Sequence, residues 1–168
     1  GTGPTDGQLL RPSDGQLAKK IAWFQCVGSR DVQSEAPFCS SVCCMHAIKE
    51  ARLVKEKYGE NVDAKIFYMD MRTFGKDYQR YREQAEKEYG VQFERSRVHS
   101  VLPDNENGLL DVSYLNPAGE ISKEGFDLIV LSIGQKPAAG INELLSQEGS
   151  PLNGSGFCSP APFSETVT

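Results

Sequence analysis

Four of the five cysteines in this chain crowd into one short stretch, as Cys26, Cys39, Cys43 and Cys44. Their spacing is Cys-x12-Cys-x3-Cys-Cys, and a thiolate is both a soft metal ligand and a redox nucleophile. An iron–sulfur cube needs thiolates converging on several irons, and a loop that runs into a helix start can deliver them. Cys39 and Cys43 stand four apart, so a helix or helix entry would turn them to one side, with Cys44 about a quarter turn away. Cys26 would close the site from the end of the preceding strand. The free amides and positive dipole end of a helix N-terminus favour an anionic group there. Other chemistries stay open on spacing alone. Structural zinc also takes four thiolates, although paired Cys-x2–4-Cys is its usual spacing and adjacent ligands are awkward around one tetrahedral ion. Disulfides from Cys26 to Cys39 or Cys43, or four inert core thiols, are the remaining alternatives. Cys158 stands alone in a loop-like tail and reads as a bystander.

The elements that must position these residues can be read from periodicity. Ile21 to Val27 (IAWFQCV) is a short apolar run ending at Gly28, as expected of a buried strand. The segment from about Ser40 to Tyr58 reads as a helix, with Cys44, Ile48, Ala51 and Tyr58 on one face and Gly59 as its stop. Ala64 to Met69 reads as a second strand, and Gly75 to Tyr89 as a second amphipathic helix with Tyr78, Tyr81 and Ala85 in its stripe. Val91 to Leu102, Leu109 to Leu115 and a piece near Ile121, with turn signals between them, predict an antiparallel β-meander. Phe126 to Ile133 (FDLIVLSI) is the most apolar run and predicts a central strand buried on both faces. A helical turn is expected near Ile141 to Leu145. This order predicts an α/β fold: a Rossmann-like three-layer domain with a central parallel sheet and an inserted antiparallel β-meander.

Residues 1–19, rich in Gly, Pro, Asp and Ser, read as an extended linker or a vector-derived remnant. Residues 20–137 form the expected domain, and 138–168 a Gly/Pro/Ser-rich tail. A length of 168 residues suits one domain with a real core. Apolar residues at 39% and charged residues at 24% predict a folded, soluble chain. The net charge of −5, with no basic stripe, argues against nucleic acid as a partner. No apolar run approaches the roughly 18 residues of a membrane span and no leader opens the chain, so no transmembrane segment and a cytoplasmic location are expected.

The first strand, turn and helix are where a dinucleotide-binding domain would carry Gly-x-Gly-x-x-Gly. Here the turn reads Gln25-Cys-Val-Gly-Ser-Arg-Asp31, with only Gly28, and cysteines stand where glycines would be expected. The runs FQCVGSRD, FCSSVCCMHAIKEA and IFYMDMRTFGKDY resemble the A-subunit family of heterodisulfide reductases. That family includes related proteins of quinone-interacting oxidoreductase complexes in anaerobes. The resemblance covers roughly Gln16 to Pro137. It implies a large flavoprotein parent with a thioredoxin-reductase-like core, FAD and several [4Fe–4S] clusters, which passes electrons between partner subunits. Carried over by position, Cys26, Cys39, Cys43 and Cys44 would ligate one [4Fe–4S] cluster close to the flavin. The run Asp127-Leu-Ile-Val-Leu-Ser-Ile-Gly-Gln-Lys-Pro137 is similar to the strand leaving the nucleotide domain of two-domain disulfide-reductase flavoproteins. The tail from Gly154 to Thr168 then resembles the start of a return to an FAD domain. The expectation is an excised module whose flavin belongs to the full-length parent only, which binds no flavin by itself and whose cluster is prone to loss.

The implied partners are the FAD domain of the same parent chain and other redox subunits of such a complex, with self-association of the fragment through apolar surface as a further expectation. Arg30, Asp31, His46 and Lys49 are candidates to offset cluster charge, against the simpler reading of solvated side chains. Asp70, beside Tyr68, Arg72 and Thr73, sits where a Rossmann domain selects ribose, but packing is the expected role without the glycine turn. His99 has no evident partner in sequence, and no Ser-His-Asp or paired-carboxylate pattern suggests hydrolysis. The alternatives to an electron-transfer module are a zinc-binding or metal-free docking domain and an NAD(P)H-binding domain.

Overall fold

Alternate side chains of Lys20–Val27, the first strand (β1), serve two separate cores, as the two-residue period of a strand dictates. Ile21 and Trp23 enter one core and Ala22 and Phe24 the other. The computed structural model describes residues 4–159. The chain divides into two units, one from Gly1–Val27 with Ser41–Ile133 and the other from Gly28–Ser40 with Gly134–Thr168.

In the first unit, β1 is followed by α1 (Cys43–Tyr58), β2 (Asp63–Phe67), α2 (Tyr78–Lys87) and β3 (Gln92–Glu94). Three antiparallel strands come next, β4 (Val98–Asp104), β5 (Leu109–Leu115) and β6 (Ile121–Phe126), and then β7 (Leu128–Ile133). Parallel pairing joins one sheet in the order β3-β2-β1-β7, and β4-β5-β6 form the meander. Ala47, Ile48 and Ala51 of α1 and Ala85 of α2 pack on the Trp23 face of the sheet. Val112, Tyr114 and Phe126 of the meander pack on the Phe24 face. The expected Rossmann-like arrangement of helices, parallel sheet and inserted meander is therefore what the chain adopts.

Phe67 pins the meander to the sheet. It meets the rings of Phe24, Tyr114 and Phe126 edge-on at 5.6, 4.9 and 5.9 Å. Edge-to-face pairs of this kind add about 0.5–1.5 kcal/mol each beyond area burial. Glu124 of β6 receives Lys20 Nζ at 2.9 Å, Lys65 Nζ at 2.6 Å and Tyr114 Oη at 3.0 Å. Burial pushes the Tyr114 hydroxyl up to about 12, helped by the neighbouring Glu124 carboxylate. Burial also tends to raise Glu124, but hydrogen bonds from Lys65 and Lys20 outweigh it and hold the carboxyl below its ordinary value.

Four expectations change. The helix starts at Cys43 rather than Ser40, because Ser41 takes a left-handed φ of 64° that no α-helix accommodates. Asp77, with φ 65°, likewise delays α2 to Tyr78. The expected first meander strand divides: Gln92–Glu94 joins the parallel sheet beside β2, and only Val98–Asp104 belongs to the meander. The apolar run from Phe126 is cut at Asp127, whose carboxylate accepts Lys19 N, Lys20 N and Arg11 Nη1 at 3.0, 2.8 and 3.0 Å. The strand after that cut is an edge, not a central strand: Leu131 and Ile133 are 54% and 67% exposed. Apolar content alone does not say how many neighbours a strand has.

Residues 9–18 are held to the first unit. Leu10 and Leu17 form an antiparallel bridge, Arg11 pairs with Asp14 and Asp127, and Ala18 is fully buried. The second unit contains α3 (Ile141–Gln147), an Asp31–Ala36 bridge and a T-shaped Phe38–Phe157 contact at 5.3 Å. The last part of the tail read as a return toward another domain, residues 160–168, lies outside the described residues, as do residues 1–3.

Candidate metal centre

The C-terminal end of β1 carries Cys26, and the start of α1 carries Cys43 and Cys44. Cys26 has a left-handed φ of 61°, at the point where the β1–β7 register shifts between Phe24 and Val27. A non-glycine residue there costs about 1–2 kcal/mol and aims the side chain off the pleat. Cys43 Sγ lies 3.5 Å from the Ile133 carbonyl oxygen, so the thiol reaches the last residue of β7. Cys44 is 6% exposed and turns into the core, whereas Cys26 and Cys43 are half-buried. Val42 gives α1 no side-chain cap, and the first turn has no acidic residue. The helix therefore starts with two thiols instead of a capping oxygen.

Three of the predicted ligands thus sit at the sheet end where a dinucleotide domain places its phosphate turn. Cys39 does not share their unit. It is half-buried in the Gly28–Ser40 segment, outside α1, so Cys39 and Cys43 do not share one helix. Among the described residues, no group of three or more His, Cys, Asp or Glu side chains is gathered as an ion-binding cluster. The donor chemistry nevertheless fits a thiolate-held group. Beside Cys26, Gln25 Nε2 donates to Ser132 Oγ at 2.9 Å, while Gln25 Oε1 is buried with no hydrogen-bond partner among the described residues. A buried carbonyl oxygen without a donor calls for a water or another N–H or O–H group.

The polar neighbours read from sequence divide by role. Asp31 accepts Gln33 N at 2.9 Å and Ser34 Oγ at 3.1 Å, closing its own turn. His46 and Lys49 are exposed on α1, and His99 is exposed on β4. At the end of β2, Asp70 pairs with Arg72 at 3.2 Å, Thr73 donates to Gln79 at 2.8 Å, and Tyr68 packs on Phe93. Cys158 is exposed and bridges to Leu152 in the second unit. Gln25, next to Cys26, carried no signal of its own in the sequence.

The parallel order β3-β2-β1-β7, with two helices on one face and a meander on the other, defines a Rossmann-like α/β domain. No family model matches the chain. Curated relatives do. The chain is 46% identical over 154 residues to the iron-sulfur A-subunit 2 of CoB–CoM heterodisulfide reductase from Methanopyrus kandleri, covering 89% of this chain and 23% of that protein. It is 41% identical over 156 residues to the A-subunit of H(2)/formate:CoB-CoM heterodisulfide,ferredoxin reductase from Methanococcus maripaludis, covering 92% of this chain and 24% of that protein. Over this segment the chain belongs to the A-subunit family of heterodisulfide reductases, and it spans about a quarter of the length of those relatives. Among solved structures it is similar to Lactococcus lactis thioredoxin reductase, at 20% identity and a TM-score of 0.48, covering 84% of this chain and 38% of that one. No helix among the described residues is long and apolar enough to cross a membrane.

Proposed function

We propose that the chain is an electron-transfer module of a heterodisulfide-reductase-like flavin and iron–sulfur oxidoreductase, with Cys26, Cys39, Cys43 and Cys44 holding one [4Fe–4S] cluster. The observation that carries this reading is the replacement of the glycine phosphate turn by thiols: Cys26 at the end of β1, and Cys43 and Cys44 at an uncapped helix start. The naming of the Methanopyrus kandleri relative as an iron-sulfur protein supports it. A cluster bound here supplies one-electron transfer.

The chain's own residues supply the rest. Four thiolates bind, the α1 amides offset negative charge, and the Cys44 side keeps water out. The electron partners would be an FAD domain and other redox subunits of the same complex, in the cytoplasm. Neither the sheet nor the charge pattern suggests nucleic acid.

Anaerobic reconstitution with iron and sulfide tests the proposal. A broad absorbance around 400 nm with about four irons per chain is expected for one cube. One bound zinc without colour would instead establish the structural-zinc alternative.

A further inference from the structure

Cys39 is held from both sides inside the second unit. Ser29 Oγ donates to the Phe38 carbonyl oxygen at 3.0 Å, and Arg30 N donates to the same oxygen at 3.0 Å. On the other side, Ser40 Oγ accepts from Gln135 N at 2.8 Å, and the two serine hydroxyls stand 3.3 Å apart. Ser29 is 3% exposed, and a hydroxyl withdrawn from water is costly unless its hydrogen bonds are made. Gly134 leaves the space these contacts need. A Cβ at that position would meet Ser29 Cβ at 2.9 Å, the Gly28 carbonyl oxygen at 3.0 Å and Ser40 Oγ at 3.2 Å.

We infer that Ser29 and Ser40, closed over by Gly134, are positioning residues for the Cys39 thiol. They tie down the peptide unit before Cys39 and the side chain of the residue after it, so the thiol is presented in one orientation instead of sampling a loop's worth of them. This rests on the four-cysteine cluster proposed above. A thiolate ligand must meet its metal within a few tenths of an ångström, and partners that orient ligands govern how long the metal stays.

Ser40→Ala and Ser40→Thr differ by the hydroxyl that receives Gln135 N. After anaerobic reconstitution, iron release to a chelator should be about 10- to 100-fold faster in Ser40→Ala, and near the unsubstituted rate in Ser40→Thr. Gly134→Ala should resemble Ser40→Ala. Fluorescence of the single, buried Trp23 reports the core of the first unit. A Ser40→Ala chain that keeps its iron, or that loses it together with a red-shifted Trp23 emission, overturns the positioning role. Cys39→Ser separates this from the ligand assignment. If Cys39→Ser forms and keeps a cluster like the unsubstituted chain, the ligand assignment itself fails; if it loses the cluster while Ser40→Ala does not, only the positioning role fails.

Discussion

Cys43 Sγ stands 3.5 Å from the carbonyl oxygen of Ile133, which ties the first residue of α1 to the last residue of β7. A parallel sheet ends its strands at one edge, and a helix that follows one strand begins there too. The contact places a soft donor at that edge, beside Val27, the Ile133 partner in register.

Cys43→Ser and Cys44→Ser should each abolish cluster uptake, while Cys158→Ser should leave it unchanged. Iron and sulfide content after anaerobic reconstitution checks this. Uptake lost with Cys158 and kept with Cys44 would reassign the ligands.

Cys26 holds its φ of 61° against the ordinary preference of a side-chain-bearing residue. Without metal, Cys26→Gly should therefore be more stable than the unsubstituted chain, by about 1 kcal/mol. Cys26→Ala, which keeps the strain, should gain nothing, and neither variant should hold a cluster. Urea unfolding of the metal-free chains measures the difference. Equal midpoints for the glycine and alanine variants would show that the backbone carries no strain there.

Glu124 has a lowered pKa in the folded state, so its contribution is present above the ordinary carboxylate value of 4.5 and fades as pH falls through the folded value. Tyr114 has a raised one, so its contribution is present below pH 10 and is lost as pH rises toward about 12. Glu124→Gln should cost about 1–3 kcal/mol at neutral pH, by leaving Lys20 and Lys65 with a weaker acceptor. It should also flatten the acid limb of the stability profile. Thermal melts between pH 3 and pH 7 give the answer; an unchanged acid limb would remove Glu124 from the account.

Phe67→Ala removes three edge-on ring contacts at once and should destabilise the chain by about 3–5 kcal/mol. Near-ultraviolet circular dichroism and denaturant melts follow the loss. A cost below about 1 kcal/mol would mean that the meander is held elsewhere.

Much of this protein was legible in its residues. Cysteine spacing singled out the four candidate ligands, and hydrophobic period marked β1, α1, β2 and the β5 strand, because a helix or strand writes its buried face into the local order of side chains. What local order does not contain is neighbour identity. Gln92–Glu94 looks like any short strand until β2 pairs beside it, and Leu128–Ile133 looks central until the sheet ends there. The break at Asp127 depends on amides more than a hundred residues earlier in the chain. The tertiary structure also kept Cys39 out of α1: Ser41 turns left-handed, and the segment before it closes on Gly134 and Gln135 instead of continuing α1 backwards. Thiol chemistry was thus set by residue type and spacing. The backbone that aims each thiol was decided by contacts between distant segments, where steric fit and hydrogen-bond satisfaction are settled.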